Sequence, residues 1–391
     1  MVPYILSVCL KGKRRRSKLI NVMLTYSSVD EYQFELTTYC NAACPQCPRN
    51  LCGYGKNPHM PLVHLDADVI DNAFTPDLCN RLRQVFFCGS YGDPIMHPKF
   101  LDILRTFRQK NPTLWLYFHT NGGVHNEDYW QEVADIMAGY GQIDFGIDGL
   151  SDTLDLYRRN VDYDKVIRNA RAFIDRGGRA QWNYLVFKHN EHQVEQAKQL
   201  AQEYGFFNIL IRKTGRFFDH KNLVELDSWP VYNNKDDVAY QLELPTQEQY
   251  RNNSMLGLTR LKTEYPDIKD YFAETEIRCD AEIGNKVAIN AEGVVLPCNF
   301  FNHNLYDLRF HDTDALPRAN ALSGIPNQVR KFLDQYGLNN LSIKNNSLAD
   351  IFNNKFWQDL YNSFTGNRLF ECAMTCGKRL TKVWDQGGNL R

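Results

Sequence analysis

The sequence predicts an α/β fold, because short strand-like runs alternate with helix-like segments over residues 33–215. Six apolar, aromatic or β-branched runs mark the strands, at residues 33–37, 84–88, 114–118, 143–147, 182–187 and 207–211. Parallel strands joined by helices form right-handed crossovers, so six such units predict an open or closed α/β barrel. The functional residues of such a barrel lie on loops that follow the carboxyl ends of its strands.

Helices are predicted between several of these strands by apolar residues at helical spacing. Examples are KFLDILRTFRQK (99–110), YWQEVADIMAGY (129–140), YDKVIRNARAFIDRGG (163–178) and EHQVEQAKQLAQEYG (191–205). The last two end in glycine, which is typical of helix C-termini.

The alternation stops after residue 215. Residues 216–275 are polar and predict a connecting region with some helix. KVAINAEGVVL (286–296) predicts a hairpin that turns between Asn290 and Gly293, residues 303–348 are loop-like, and FWQDLYNSF (356–364) predicts a short helix. We therefore expect four regions: an extension (1–32), the barrel (33–215), a connection (216–275) and a second small domain (276–391).

Composition is that of an ordinary globular protein: 391 residues, 43% hydrophobic and 23% charged, with a net charge of −1. No overall charge favours nucleic acid or a membrane surface. The apolar start MVPYILSVCL is too short to span a membrane, and its basic run follows it, the reverse of a secretory signal. These features predict a cytoplasmic protein. The basic run, residues 11–18, is expected to be a solvated tail, with an acidic partner or nucleic acid as the alternative.

Three cysteines follow the first strand at the spacing C-x3-C-x2-C, namely Cys40, Cys44 and Cys47. Three thiolates can hold three irons of a [4Fe–4S] cubane and leave the fourth iron open for chemistry. The alternative is a zinc knuckle that lacks its fourth ligand.

The spacing, its place after the first strand and the asparagine after the first cysteine resemble the radical S-adenosylmethionine (radical SAM) enzymes. That resemblance implies a partial (β/α)6 barrel in which the amine and carboxylate of S-adenosylmethionine chelate the open iron. It further implies reductive cleavage to a 5′-deoxyadenosyl radical that abstracts hydrogen from a substrate. An aromatic residue usually precedes the third cysteine in that family, whereas Gln46 stands here.

Later segments resemble further motifs of the family in the same order. GSYGDP (89–94) is similar to its Gly-Gly-Glu-Pro segment, HTNG (119–122) to its Thr-Asn-Gly, and GIDG (146–149) to its Ser-x-Asp-Gly. A family arginine that often pairs with the cofactor carboxylate corresponds to Arg158 or Arg159, of which Arg159 is the favoured choice. The cofactor contacts implied are therefore Gly92, Asp93, Asn121, Asp148 and Arg159, and Arg212, which follows the sixth strand, is a further candidate by its position.

A second cysteine group resembles the auxiliary-cluster domains of the SPASM and twitch subgroups. Its members are Cys279, Cys298, Cys372 and Cys376. Four ligands imply one fully ligated auxiliary [4Fe–4S] cluster, and twitch is the better label because the cysteine-rich run of a full SPASM domain is missing. A structural four-cysteine zinc site is the alternative.

The resemblance implies radical modification of a peptide or protein side chain, with a reductant such as flavodoxin or ferredoxin. Oxidation of a small-molecule alcohol or aminosugar is the second choice, and modification of a nucleotide or nucleic acid the third. An iron–sulfur or zinc binding protein without catalysis is the non-enzyme alternative. Only weak candidates exist for a general base, namely Lys213, Asp219 and His220.

Overall fold

The computed structural model describes residues 23–219, 224–252, 264–265, 267–306 and 327–377. Its main feature is an eight-stranded sheet of order β14-β13-β1-β4-β5-β6-β7-β8. The strands are β1 Glu31–Phe34, β2 Asn50–Leu51, β3 Tyr54–Lys56, β4 Gln84–Phe87, β5 Trp115–Thr120, β6 Gly141–Gly146, β7 Ala180–Val186, β8 Asn208–Lys213, β9 Phe218–Asp219, β10 Val224–Glu225, β11 Ser228–Tyr232, β12 Val238–Glu243, β13 Lys286–Ile289 and β14 Val295–Leu296. The six predicted strands are β1, β4, β5, β6, β7 and β8, all parallel, which confirms the α/β barrel-like fold class.

Helices follow the parallel strands, as the crossover rule requires. They are α1 Ala67–Ala73, α2 Pro76–Arg81, α3 Phe100–Lys110, α4 Glu127–Met137, α5 Leu154–Tyr157, α6 Tyr163–Asp175, α7 Val194–Glu203, α8 Ile268–Glu274, α9 Asp280–Ile283, α10 Asn299–Tyr306, α11 Gln328–Tyr336, α12 Leu348–Phe352, α13 Lys355–Ser363 and α14 Phe370–Cys376. Among the helices of the described residues, none is long and apolar enough to cross a membrane.

The two faces of the parallel sheet differ in chemistry because strand side chains alternate between them. One face packs aromatic rings against the helices: Phe34 lies 5.1 Å from Phe74, 5.9 Å from Phe87 and 6.0 Å from Phe107 between ring centroids. The opposite face carries polar side chains, including Tyr117, which hydrogen-bonds within that face. The apolar face therefore forms the core, and the polar face forms the inner lining of the open barrel.

The predicted hairpin at 286–296 is present as β13 and β14, and Gly293 in its turn has a φ of +84°. Its first strand pairs in parallel with β1, with Lys286 opposite Glu31. The main sheet therefore runs without a break from the barrel into the C-terminal part of the chain.

Two stretches fold differently from the prediction. Within the polar connection, Ile268–Glu274 forms α8, in agreement with the prediction of some helix, but residues 228–243 also form the antiparallel pair β11–β12, which was not predicted. Asp236 (φ 65°) and the turn after Asn233 allow the chain to reverse there. Within the loop-like stretch, Gln328–Tyr336 forms α11, capped by Asn327, whose side chain accepts a hydrogen bond from the Arg330 amide. The basic run at residues 11–18 and the side chain of His220 lie outside the described residues.

Candidate functional site

The first three cysteines lie on the loop that follows β1 at the carboxyl edge of the sheet. The loop turns tightly, because the Cys47 amide donates to the Cys44 carbonyl at 3.1 Å and the Ala42 amide approaches Cys40 Sγ at 3.4 Å. Burial raises the pKa of the Cys40 thiol and raises that of Cys44 to about 11. Buried thiols of this kind become thiolates readily only when a metal or cation is present.

Across the described parts of the chain, no three His, Cys, Asp or Glu side chains converge tightly enough for a single metal ion. A cubane asks for a wider arrangement, because each thiolate binds its own iron. The chemistry of the donors fits such a cluster: three thiols, with the Arg158 guanidinium 3.9 Å from Cys44 Sγ to offset their charge.

The turn at Gly92 packs directly against the cysteine loop. A Cβ added to Gly92 would lie 1.9 Å from the Thr37 carbonyl oxygen and 2.8 Å from that of Tyr39. The buried Glu35 carboxylate accepts hydrogen bonds from the amides of Tyr91, at 2.7 Å, and Gly92, at 2.8 Å. Burial raises the pKa of Glu35 to about 8, against the lowering effect of these two amides. Glu35 thus holds the turn in place, a role that the sequence analysis missed.

Asp93 and Asn121 contact each other. The Asp93 carboxylate accepts from the backbone amide of Asn121 at 2.7 Å and from its side-chain amide at 2.8 Å. The same side-chain amide lies 2.9 Å from Asn41 Oδ1 and 3.6 Å from Cys40 Sγ. Burial raises the pKa of Asp93 to about 6. Asp93 therefore positions Asn121, and Asn121 is the residue of the pair that reaches the cysteine loop.

The structure places the two candidate arginines in different surroundings. Arg158 Nε donates to the buried Asp148 carboxylate at 2.6 Å, and its guanidinium faces Cys44. Arg159 instead donates to the carbonyls of Gly53, at 2.9 Å, and Tyr232, at 3.0 Å, and so ties the cysteine loop to β11. Arg158, rather than the favoured Arg159, is brought together with Asp148 and the cysteines.

The remaining candidates lie further from the thiols. Arg212 Nε approaches Asn183 Oδ1 at 3.3 Å on the inner face, and Lys213 is half-buried at the end of β8. Arg216, which the sequence analysis did not select, donates to the Gln46 carbonyl at 3.2 Å. Nothing is described for the side chain of Asp219, as for His220.

The four later cysteines come together around one cavity. Cys279 precedes α9, Cys298 follows β14, and Cys372 and Cys376 lie on α14; all four line the cavity with apolar side chains such as Phe301. Burial raises the pKa of each thiol, that of Cys376 to about 12. Four thiols from three chain segments supply the number and type of ligands that a fully ligated iron–sulfur cluster needs, whereas in this structure they do not converge tightly enough for a single zinc ion.

A short path of hydrogen bonds joins the two cysteine sites. Helix α10 begins directly after Cys298, and its Asn302 side chain donates to Glu35 at 2.7 Å. Asn299, at the start of the same helix, donates to Gln33 at 2.8 Å. The helix that leaves the second site therefore braces the Glu35 carboxylate that holds the Gly92 turn of the first.

The chain is similar to several known proteins. The chain is 22% identical over 357 residues to the tungsten-containing aldehyde ferredoxin oxidoreductase cofactor-modifying protein of Pyrococcus furiosus, covering 88% of this chain and 86% of that protein. Among solved structures, anSMEcpe with bound AdoMet has a TM-score of 0.49 at 13% identity, covering 89% of each chain. SuiB of Streptococcus suis bound to S-adenosylmethionine has a TM-score of 0.46 at 14% identity, covering 85% of this chain and 73% of that one. Residues 34–201 match the sequence model of the Radical SAM superfamily. Over these residues, which include Cys40, Cys44 and Cys47, the chain is similar to radical SAM enzymes.

Proposed function

We propose that this radical SAM enzyme abstracts hydrogen from a peptide or protein side chain, with Cys40, Cys44 and Cys47 as ligands of the catalytic [4Fe–4S] cluster. A second cluster on Cys279, Cys298, Cys372 and Cys376 assists. The observation that supports this most is that two clusters of cysteines lie beside one sheet. Three cysteines follow β1, and four surround the cavity next to the adjoining β13–β14 hairpin.

When bound, the first cluster and S-adenosylmethionine supply the 5′-deoxyadenosyl radical. The residues of the chain bind and orient these groups. The absence of a side chain at Gly92 lets main-chain carbonyls approach the methionyl amine. Arg158, fixed by Asp148, offers its guanidinium to the methionyl carboxylate, and Asn121 offers a polar side chain next to Cys40.

Cys279, Cys298, Cys372 and Cys376 would hold the second cluster, which would supply an acceptor for one electron. Its thiols are buried and fully able to ligate four irons, which suits electron transfer rather than substrate binding. With such an acceptor, a substrate radical is converted to a closed-shell product by loss of one electron. Zinc in the same four thiols would make the site purely structural.

The substrate class rests on the family resemblance together with the polar inner face. Side chains there, such as Asn183 and Arg212, offer donors and acceptors that suit peptide groups. Modification of a small molecule is the second candidate. It is favoured by the relative from Pyrococcus furiosus, whose name describes modification of a cofactor and whose match covers 88% of this chain.

Metal content and cofactor cleavage test the proposal. Protein purified and reconstituted without oxygen is expected to hold about eight irons per chain and to release 5′-deoxyadenosine when given S-adenosylmethionine and a reductant. About four irons would contradict the second cluster. Zinc without iron, and no cleavage, would contradict the proposal as a whole.

Paired variants separate the two sites. Replacing Cys40, Cys44 and Cys47 with alanine should remove about four irons and abolish cleavage, whereas replacing Cys279 and Cys298 should remove the other four. A pool of synthetic peptides and, separately, a pool of small alcohols and aminosugars then distinguish the two substrate classes by mass spectrometry.

A further inference from the structure

A buried carboxylate on the inner face of the barrel is surrounded by an unusual number of hydrogen-bond donors. Asp144, on β6, has a fully buried side chain. Its two oxygens lie within hydrogen-bond distance of five side chains from three strands: Tyr117 at 2.7 Å, Gln142 at 2.7 Å, Gln181 at 2.9 Å, Asn183 at 3.0 Å and His119 at 3.3 Å. Burial alone would raise the pKa of Asp144, but the hydrogen bond and the charge of His119, followed by hydrogen bonds from Gln142 and Tyr117, outweigh it and lower the pKa to about 2. Asp144 is therefore ionised, and an ionised carboxylate only accepts hydrogen bonds.

This requirement determines the tautomer of His119. Tyr117 has one hydroxyl proton and must donate it to Asp144. The Tyr117 hydroxyl oxygen also lies 2.6 Å from His119 Nε2, and in this second hydrogen bond the ring nitrogen must be the donor. His119 thus carries its proton on Nε2, which also faces the Asp144 carboxylate. When the ring is neutral, the other nitrogen, Nδ1, therefore holds the lone pair, and it has no hydrogen-bond partner within the part of the chain that the structure describes.

The His119 side chain, which carries this Nδ1 atom, is partly exposed on the inner face of the barrel. The His119 side chain is 39% exposed, although its strand is in the centre of the sheet. Asn121 follows two residues later on the same face, and its amide reaches Cys40 Sγ. Two residues of strand span about 6.6 Å, so His119 lies one step deeper in the barrel than the cysteine loop.

We propose that His119 is the base of the substrate site, and that Asp144 and Tyr117 are positioning residues that hold its Nδ1 free to accept a proton. This inference rests on the proposed function, which it deepens. It assigns a substrate whose reacting carbon bears a hydroxyl, thiol or amine. Such a group loses a proton when the carbon radical beside it is oxidised.

The step balances as a two-electron oxidation. With both clusters and S-adenosylmethionine bound, the C–H hydrogen atom would leave to the 5′-deoxyadenosyl radical and one electron would go to an iron–sulfur acceptor, while Nδ1 of His119 would take the proton of the heteroatom. A double bond between the carbon and the heteroatom forms in the product. General-base catalysis of this kind contributes about 10²- to 10⁴-fold in rate.

The tautomer is tested on the apoprotein by ¹H–¹⁵N NMR with labelled histidine, recorded from about pH 6 to about pH 9. His119 should show a slowly exchanging proton on Nε2 and an unprotonated Nδ1, and Asp144→Asn and Tyr117→Phe should abolish the slow exchange. His192 is exposed and lies outside the Asp144 cluster, so it supplies the matched control: the signals of its ring should be the same in every variant. The proposal would be overturned if His119 carried its proton on Nδ1 alone. It would also be overturned if the ¹⁵N signals of His119 were averaged over the two tautomers in the same way as those of His192.

The role in turnover is tested with the peptide and small-molecule pools. His119→Gln should lower the ratio of oxidised product to 5′-deoxyadenosine by about 100-fold or more, and His192→Gln should leave the ratio as in the parent enzyme. An unchanged ratio in His119→Gln, with its fold verified by thermal unfolding, would refute the base. Failure of the parent enzyme to cleave S-adenosylmethionine would count against the proposed function, whereas the NMR result judges the base independently.

Discussion

Replacing Gly92 with alanine tests how closely the turn must approach the cysteine loop. The new Cβ would lie 1.9 Å from the carbonyl oxygen and 2.7 Å from the carbonyl carbon of Thr37, and 2.8 Å from the oxygen of Tyr39. All three are main-chain atoms, so no flexible side chain can move aside. Overpacking costs about 1–3 kcal/mol, and contacts this short place the expected cost at the upper end, about 3 kcal/mol.

The expected consequence can be measured in two ways. With an unfolding entropy of about 2.1 cal/mol/K per residue over 391 residues, 3 kcal/mol lowers the Tm of the apoprotein by about 4 °C. Because Thr37 and Tyr39 lead into Cys40, reconstituted Gly92→Ala should also hold less iron at the first site. Gly366→Ala is the matched control, since its nearest heavy atom, the Asn362 carbonyl oxygen, would be 3.4 Å away. A Tm within about 1 °C of the control, together with full iron content, would refute the reasoning.

Three further predictions concern the surroundings of the cysteine loop. The pKa of Glu35 is raised from its usual 4.5 to about 8 by burial, so the folded protein holds a proton that the unfolded chain releases. The stability linked to this proton is full below pH 4.5 and is lost as the pH rises through 8, and Glu35→Gln should flatten that decline in thermal melts. Arg158→Gln should weaken S-adenosylmethionine binding to the iron-loaded protein by about 10- to 150-fold in calorimetry, because a charge-assisted hydrogen bond contributes about 1.5–3 kcal/mol; unchanged affinity would disprove the assignment. Arg159→Gln should instead speed proteolysis of the segment around Tyr232, whose carbonyl it holds, and equal cleavage rates in both proteins would argue against that role.

Local sequence patterns were sufficient for much of the fold. All six predicted strands are present with ends within a few residues, because a strand buried by helices needs a continuous apolar run. The hairpin at 286–296 was predicted by its turn glycine for the same local reason. The pair β11–β12 was missed because its strands are half-exposed and polar, so they lack the apolar run on which the prediction depends.

Local sequence patterns predicted only part of the candidate site. The order of motifs along the chain placed Gly92, Asn121 and Asp148 at one edge of the sheet, where the structure also has them. The sequence favoured Arg159, whereas the structure brings Arg158 to Asp148, because α5 ends at Tyr157 and the irregular backbone beyond it sends the two arginines in different directions.

The sequence by itself predicted the α/β architecture, the resemblance to radical SAM enzymes and the two cysteine groups, because periodicity and spacing are properties of neighbouring residues. Only the tertiary structure decided that β13 joins the barrel sheet beside β1, that Glu35 holds the Gly92 turn, and that Asp144 faces His119 across β5 and β6. Each of these depends on the register between segments far apart in the chain. Register is set by packing of the whole sheet, and no local pattern encodes it.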